Sequence, residues 1–383
     1  MNNWGARIGY IAAAFLLVLV MPACSSDRGK GSSGDEPPAN EGSKHEPADP
    51  IAALMPISKS EGILAQRGFS IGPIATDGRF LFWEAAAGDE DQDVVLLRRD
   101  LQTGAVRTVA HGIFRAFGLA TTPGGVIYAT RSGASAELAV IDPGGSHRSV
   151  LSRSLAAPFD ARGDMVAWAE ADALSHRVIV RNMRTGRQFV AMNARRCRGA
   201  RCYRIDRVTV ADDGVVFDLG SVGQGYSSLI VRRRWNAAKP SFAKVVNDPQ
   251  PDLVRSATGA LYYQLRRGWV EWNFDEDQPR GTPLRGARPW LLAAEGGRRL
   301  VLTGPTCGTK VAVRLRDGRT APVPAPSSSP ASPTKFGPLC RQLMGYAWTG
   351  DRLFLAWSIT PKISIEAHDD VGISGIITTT RLP

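Results

Sequence analysis

The stretch Asp77-Gly78-Arg79-Phe80-Leu81-Phe82-Trp83 decides the fold of this chain. An Asp-Gly pair favours a tight turn, and the apolar, aromatic run after it is typical of a buried β-strand. This order of turn and apolar strand recurs six more times. Counted from the turn glycines at positions 78, 124, 163, 214, 259, 297 and 350, the steps are 46, 39, 51, 45, 38 and 53 residues. The chain is therefore a repeat with a period near 45 residues.

Each repeat contains three further predicted strands around the aromatic one. A first strand leads into the turn, as at 71–75, and a third follows, as at 94–97. A second tight turn then leads to a more polar fourth strand, as at 105–110. A four-stranded unit of this length is the blade of a β-propeller. We predict an all-β propeller of seven four-stranded blades, with six and eight as the alternatives, because no stretch shows sustained helical periodicity.

The Asp-Gly turn before an aromatic strand, followed by a strand that ends in Asp-x-x-Thr-Gly, resembles the TolB-type propellers. In the first unit this ending is Asp100-Leu101-Gln102-Thr103-Gly104. The resemblance covers most of residues 62–383, although residues 235–240 and 275–281 replace the Thr-Gly turn in two units. It implies a fold and little about activity, because propellers host both enzymes and scaffolds.

Residues 1–23 have the pattern of an export signal. An uncharged, apolar run at 8–20 follows the single basic residue Arg7, and it is shorter than the roughly 20 residues that span a bilayer. The run ends at Met21-Pro22-Ala23-Cys24, which resembles the lipobox of bacterial lipoproteins, although Met21 and Pro22 depart from it. The resemblance implies that Cys24 is lipidated and becomes the new N-terminus. The alternative is an ordinary secretory signal that leaves Cys24 as a spare thiol.

Residues 25–50 contain no large apolar side chain, so this segment is predicted to be disordered. As a flexible coil it would span roughly 30 Å, which suits a tether between a membrane and a domain. The predicted organisation is a lipoprotein signal at 1–23, a lipid-anchored tether at 24–50 and a single propeller domain at 51–383. The expected location is the bacterial cell membrane or outer membrane, with a monomeric domain outside the cytoplasm.

The chain is strongly basic, with a formal net charge of +11. Without Arg7 and the tether, whose net charge is −3, residues 51–383 carry +13. Most of the basic residues are arginines, which fits an anionic partner or merely a GC-rich genome. Nucleic acid is not an expected partner of a domain outside the cytoplasm.

One face of the predicted propeller collects its long loops. Second-to-third loops and the links between blades share one face, which we call the long-loop face; the other turns form the tight-turn face. The long segments on the long-loop face are 88–93, 194–204, 220–228, 303–310, 326–339 and 360–372. Loops on a rigid scaffold commonly carry binding residues, so this face is predicted to bind a partner. The alternative is that these loops are tolerated insertions without a role.

The remaining cysteines, Cys197, Cys202, Cys307 and Cys340, all fall on the long-loop face. In an oxidising compartment they form a predicted set of disulfides. Blade geometry favours pairing 307 with 340 and 197 with 202, whereas the sequence alone allows three connectivities. A zinc site is the rival, but the Cys-x4-Cys spacing lacks a matching partner pair, so no metal is predicted.

The link that holds Cys197 and Cys202 also carries five arginines. These candidates for anion binding are Arg195, Arg196, Arg198, Arg201 and Arg204. Guanidinium groups on a constrained loop can clamp carboxylates or phosphates, while the alternative is a solvated arginine-rich loop.

The acidic segment 89–93 begins like a calcium loop and places Asp100 at position twelve. It lacks the glycine at position six, so a solvated acidic loop is the preferred interpretation.

No nucleophile elbow, zinc-protease helix or phosphate loop is present, so no catalytic residue and no cofactor are predicted. We therefore expect a non-enzymatic, membrane-tethered protein that binds an envelope protein, a peptide or an anionic envelope polymer through its long-loop face. The alternative is a hydrolase or lyase with a site at the central channel, assembled from residues of different blades. A single sequence does not reveal such a constellation.

Overall fold

The computed structural model describes most of the chain from residue 49 onward. The described residues are 49–55, 63–67, 69–87, 94–132, 135–172, 175–195, 197–198, 201–222, 227–246, 253–255, 259–264, 268–277, 279–281, 290–295, 297–303, 310–315, 317–326, 339–361 and 374–382. The predicted signal, Cys24 and nearly all of the tether lie outside them. Residues 48–383 form one compact unit. Within the described ranges, no helix combines the length and the apolar character needed to cross a bilayer.

Nearly all of the described elements are antiparallel β-strands. The described residues also include a short 3₁₀-helix at Arg115–Phe117, between β6 and β7. Two short strands come first: β1 (Leu54–Met55) and β2 (Leu64–Arg67). Blade 1 comprises β3 (Phe69–Thr76), β4 (Phe80–Ala87), β5 (Val95–Asp100) and β6 (Val106–His111). Blade 2 comprises β7 (Ala120–Thr122), β8 (Gly125–Ser132), β9 (Ser135–Ile141) and β10 (Arg148–Leu155). Blade 3 comprises β11 (Asp160–Arg162), β12 (Met165–Ala171), β13 (Ser175–Asn182) and β14 (Gln188–Arg195).

The remaining blades repeat this order after a two-stranded insertion, β15 (Cys197–Arg198) and β16 (Arg201–Arg204). Blade 4 comprises β17 (Val208–Val210), β18 (Gly214–Val222), β19 (Ser227–Arg234) and β20 (Ser241–Val246). Blade 5 comprises β21 (Leu253–Arg255), β22 (Gly259–Gln264), β23 (Gly268–Asn273) and β24 (Arg280–Gly281). Blade 6 comprises β25 (Trp290–Glu295), β26 (Arg298–Thr303), β27 (Lys310–Arg314) and β28 (Thr320–Val323). Blade 7 contains β29 (Leu339–Thr349), β30 (Arg352–Pro361) and β31 (Ser374–Arg381).

Blade 7 takes its fourth strand from the other end of the domain. Strand β2 pairs with β31, with Leu64 opposite Ile377, and β1 adds to the outside of β2. The first strands contact one another in the order β3, β7, β11, β17, β21 and β25, and β29 contacts β3. The hydroxyl of Tyr346 in β29 donates to the carbonyl of Leu292 in β25, at 2.8 Å, which completes the ring.

The described strands form six hydrogen-bonded sheets, because a pairing between β10 and β12 joins blades 2 and 3 in one sheet. Dividing that sheet between two blades follows the sequence repeat, and the count of seven blades stays a prediction. The predicted all-β propeller class is confirmed.

In three blades, a tryptophan of the second strand packs toward the preceding blade. Trp83 lies in an apolar cluster with residues of blade 7, Trp168 with residues of blade 2 and Trp357 with residues of blade 6. All three are completely buried. Each pair of neighbouring blades thus has an apolar core of its own, which is why the aromatic strand recurs with the blade period.

The predicted Asp-Gly turn of blade 1 forms as expected. Gly78 has a φ of 93°, which side chains other than glycine rarely adopt. One carboxylate oxygen of Asp77 accepts the backbone N–H groups of Arg79 and Phe80, at 2.9 and 2.7 Å. These bonds fix the tight turn from which the aromatic strand begins.

Candidate functional site

The arginine- and cysteine-rich link before blade 4 is a β-hairpin. A long loop was predicted at residues 194–204, but β15 and β16 pair antiparallel, with Cys197 opposite Cys202 and Arg198 opposite Arg201. Strand β16 then pairs with β18, where Arg204 lies opposite Gly220. The link is ordered because the far end of β18 offers backbone groups beyond the reach of β17. We call β15 and β16 together the arginine hairpin.

The arginine hairpin extends the innermost strand of blade 4. Strands β16 and β17 pair one after the other with the same edge of β18. Three residues, 205–207, lie between them, whereas only Asp218 and Leu219 separate the matching positions of β18. This extra residue is a β-bulge, which bends a strand and is common near functional sites. The hairpin consequently lies at the channel side of the long-loop face.

A buried carboxyl group holds the bulge together. One oxygen of Asp218, Oδ1, accepts the backbone N–H groups of Asp206 at 3.1 Å and of Arg207 at 2.7 Å. The backbone N–H of Asp218 donates in turn to the carbonyl of Arg207, at 3.2 Å. Burial, reinforced by the nearby Asp206 carboxylate, raises the pKa of Asp218 to about 7.

Blade 1 has a bulge of the same kind opposite an acid. Residues 72 and 73 of β3 lie opposite Glu84 alone, and Glu84 is fully buried. Arg115, from the 3₁₀-helix of the following link, places its Nε 4.0 Å from a Glu84 oxygen and donates from Nη1 to the Ser70 hydroxyl at 2.7 Å. A Cβ at Gly72 would lie 2.7 Å from this guanidinium, so glycine makes the room. Acids at equivalent positions therefore anchor links in two blades.

Blade 7 contributes a second extended inner strand. Strand β29 reaches back to Leu339, and an extra residue, Met344, interrupts its register with β30. Blades 4 and 7 are three units apart in the ring, so their extended inner strands lie on opposite sides of the channel mouth. The two segments together form the candidate binding site.

The structure tests the cysteine predictions only in part. Cys340, near the start of β29, is buried and disulfide-bonded. Its predicted partner Cys307 lies outside the described residues, so that pairing stays a prediction. Directly opposite residues of antiparallel strands have Cα atoms about 4.5–5.5 Å apart, within the range that a disulfide requires. The register of Cys197 and Cys202 is compatible with the predicted second pair, which also stays a prediction.

For four of the five candidate arginines, the structure gives the strand in which each lies. Arg195 ends β14, while Arg198, Arg201 and Arg204 lie in the arginine hairpin; Arg196 falls outside the described residues. The Nε of Arg204 donates to a carboxylate oxygen of Asp206 at 2.9 Å, so this arginine has an acidic partner. Nothing in the described contacts tests anion binding by the five, and this assignment stays a prediction.

Many other arginines join neighbouring blades. In blade 1, Arg98 donates to the carbonyl of Pro143 in blade 2 and stacks on Phe80, with 4.4 Å to the ring centroid. The next residue, Arg99, donates in the opposite direction to the carbonyl of Ile63, at 2.5 Å. Burial lowers the pKa of both guanidinium groups.

Blade 4 repeats this arrangement in its third strand. Arg232 donates to the carbonyl of Asn273 in blade 5, and Arg233 donates to that of Val190 in blade 3, at 2.7 Å. Consecutive residues of a strand face opposite sides, so an Arg-Arg pair reaches both neighbouring blades. Part of the strong positive charge is therefore structural and gives no evidence of an anionic partner.

Asp100 belongs to the predicted tight turn between β5 and β6 and not to a calcium loop. Its Oδ1 accepts the backbone N–H groups of Gln102 and Thr103, at 2.8 and 2.9 Å. These bonds hold the pKa of the Asp100 carboxyl below its usual range. The acidic segment 89–93 lies outside the described residues. In the part of the chain that the structure covers, no group of three or more His, Cys, Asp or Glu residues is placed to hold a metal ion.

No protein-family model and no curated protein matches this chain. Solved β-propellers do match in structure. The β-propeller domain of the Trilobed protease from Pyrococcus furiosus aligns over 77% of this chain and 92% of its own, with a TM-score of 0.53 and 9% identity. A prolyl endopeptidase aligns over 76% of this chain and 45% of its own, with a TM-score of 0.52 and 13% identity. An oligogalacturonate lyase in complex with manganese aligns over 83% and 91%, with a TM-score of 0.52 and 12% identity.

These neighbours correct one prediction from the sequence. The expectation that the chain is not an enzyme is contradicted, because propeller peptidases and a lyase are among the proteins that share its fold. The absence of short catalytic motifs was poor evidence, since a propeller site can draw single residues from several blades. At identities of 9–13% the likeness shows the fold alone and assigns no activity to this chain.

Proposed function

We propose that this chain is an exported, lipid-anchored β-propeller that binds an envelope partner through its long-loop face. The observation that carries the proposal is the arginine hairpin, which continues the innermost strand of blade 4. Between residues 195 and 207 the sequence has six arginines and one acid, Asp206. Of the partners considered, an anionic polymer has the charge that best complements this segment.

The register of the hairpin adds a physical argument for a bound anion. Arg198 and Arg201 are directly opposite each other, and like charges in such cross-strand pairs destabilise a sheet. A sulfate, phosphate or carboxylate group bound at this pair of positions would offset the repulsion. The extended β29 across the channel mouth would limit how a long polymer lies on the face.

Removing two hairpin arginines is expected to weaken polyanion binding. We expect the full chain to bind dextran sulfate, and Arg198→Gln/Arg201→Gln to weaken that binding about tenfold through the loss of charge-assisted hydrogen bonds. The matched control is Arg184→Gln/Arg187→Gln, which removes the same charge from an exposed turn of blade 3 on the tight-turn face. Isothermal titration at constant ionic strength measures both affinities. Equal losses in the two variants would contradict the proposed face.

The proposed lipid anchor at Cys24 is tested separately from anion binding. In the full chain expressed in a bacterium, Cys24→Ser is expected to abolish labelling by a fatty-acid analogue and to release the domain into the soluble fraction. Cys202→Ser is the control and should keep both the label and the membrane location. A wild-type protein without label, or a Cys24→Ser protein that stays in the membrane fraction, would refute the anchor.

An enzyme with its site at the channel is the second candidate. What favours it is the oligogalacturonate lyase, which aligns over 91% of its own length and so consists of little beyond the shared propeller. Incubating the full chain with oligogalacturonate and Mn²⁺, and following the length of the oligomers, tests this candidate. Shortening of the oligomers would favour the lyase, and binding without shortening would favour the binding role.

A further inference from the structure

We infer that Asp218 is the positioning residue of the arginine hairpin and that its proton is coupled to anion binding there. This inference rests on the proposed function, because its ligand is the anion proposed for the hairpin. Asp218 lies in β18, the second strand of blade 4, and is not one of the site residues predicted from the sequence.

The positioning role follows from where the two amide bonds lie. Residues 205–207 are the whole connection between the hairpin and β17, and two of their three backbone N–H groups donate to a single oxygen of Asp218. The side chain of Asp206 also accepts a hydrogen bond from Arg204, the last residue of the hairpin. Without the Asp218 carboxyl, two amides near the bulge would lose their acceptor, and the base of the hairpin would no longer be fixed.

The coupling to a proton follows from the other carboxyl oxygen. Among the described residues, Oδ2 of Asp218 is buried and makes no hydrogen bond. A proton can therefore reside on Oδ2 while Oδ1 continues to accept both amides, so the hairpin is held in both protonation states. Burial raises the pKa to about 7, so near neutral pH the carboxyl is about half protonated.

Asp206 and Arg207 are the charged side chains that act directly on this carboxyl, and each neighbouring blade has a titratable residue in a strand close to the hairpin or to β18. Asp206 raises its pKa and Arg207 lowers it, and Arg204 is joined to Asp206. On the blade 3 side, His176 of β13 is the register partner of Ala194, shortly before the hairpin. On the blade 5 side, β18 packs into an apolar cluster that includes Tyr262.

The sign of the coupling follows from electrostatics. An anion bound to the hairpin disfavours the ionised form of the nearby Asp218, so binding takes up a proton and tightens as pH falls through about 7. Because the pKa is raised above its ordinary value of 3.8, Asp218 stabilises the folded state at low pH, and this contribution is lost as pH rises to about 7.

The first test compares dextran sulfate affinities at pH 6 and pH 8, at constant ionic strength, for the full chain. Its sulfate groups do not titrate in this range. The wild type is expected to bind about threefold more tightly at pH 6, because the Asp218 charge that repels the anion is then largely neutralised. Asp218→Asn keeps an oxygen for the two amides but does not ionise. The ratio of its affinities at pH 6 and pH 8 should therefore be about threefold smaller than the ratio of the wild type. Glu84→Gln, the equivalent acid of blade 1, should keep the wild-type ratio.

The second test measures amide hydrogen exchange at residues 206 and 207. Asp218→Ala is expected to accelerate exchange of these amides and to weaken dextran sulfate binding at both pH values, whereas Asp218→Asn should preserve their protection. His176 is present in every variant, so it does not account for a difference between them.

Three results would overturn the inference or its basis. Equal pH ratios in the wild type and Asp218→Asn would refute the coupling. Unchanged exchange in Asp218→Ala would refute the positioning role. A wild type that binds no dextran sulfate at either pH would refute the proposed function together with the coupling, while exchange at residues 206 and 207 would still decide the positioning role.

Discussion

Replacing Trp357 with alanine is expected to lower the free energy of unfolding by about 3–5 kcal/mol. The indole is completely buried in the apolar cluster between blades 6 and 7, and its Nε1 donates to the hydroxyl of Thr378 at 3.0 Å. Alanine would leave a cavity between two blades and remove the donor to Thr378. Urea denaturation followed by circular dichroism measures the change.

Trp357→Phe is the control that separates the loss of apolar volume from the loss of the indole N–H donor. Phenylalanine keeps most of the apolar volume, so it should destabilise the protein much less than alanine does. A loss below about 1 kcal/mol for Trp357→Ala would mean that this residue is not packed between blades.

Placing a charge in the closing strand is expected to have a comparable effect. Leu64 of β2 is 3% exposed and belongs to the apolar cluster between blades 7 and 1. Leu64→Asp would bury an uncompensated carboxylate at the seam of the ring, at a cost of about 3–5 kcal/mol. The melting temperature in differential scanning calorimetry measures this effect.

The same substitution at Arg67, an exposed residue of the same strand, provides the matched control. Arg67→Asp should change the melting temperature little. If both variants melt alike, the closure of blade 7 by β2 is wrong.

Local sequence predicted the repeat because each element of a blade is built from neighbouring residues. The turn at Gly78, the aromatic strand after it and the turn at Asp100 are all present. The closure by β2 was not predicted, since its partner β31 lies near the other end of the chain. A four-residue strand with two apolar positions has no pattern that would indicate such a partner.

The candidate site was predicted less completely than the fold. The cluster of arginines and cysteines was visible, but its hairpin was not, because β15 has only two residues and β16 depends on pairing with the far end of β18. Asp218 gave no signal, since one acid within an apolar strand becomes informative only when the bulge opposite it is known. The hydrogen bonds that Arg98 and Arg232 donate to the next blade were not predicted either, because their acceptors are known only once the blades are placed side by side.

Amide hydrogen exchange of the full chain, with and without dextran sulfate, tests the proposed binding face most directly. Our account predicts added protection at residues 197–207 of the arginine hairpin and at residues 339–345 of β29, on opposite sides of the channel mouth. The turns at 100–104 and 182–187, on the tight-turn face, should be unchanged. Protection confined to those turns, with none in the hairpin, would contradict the account.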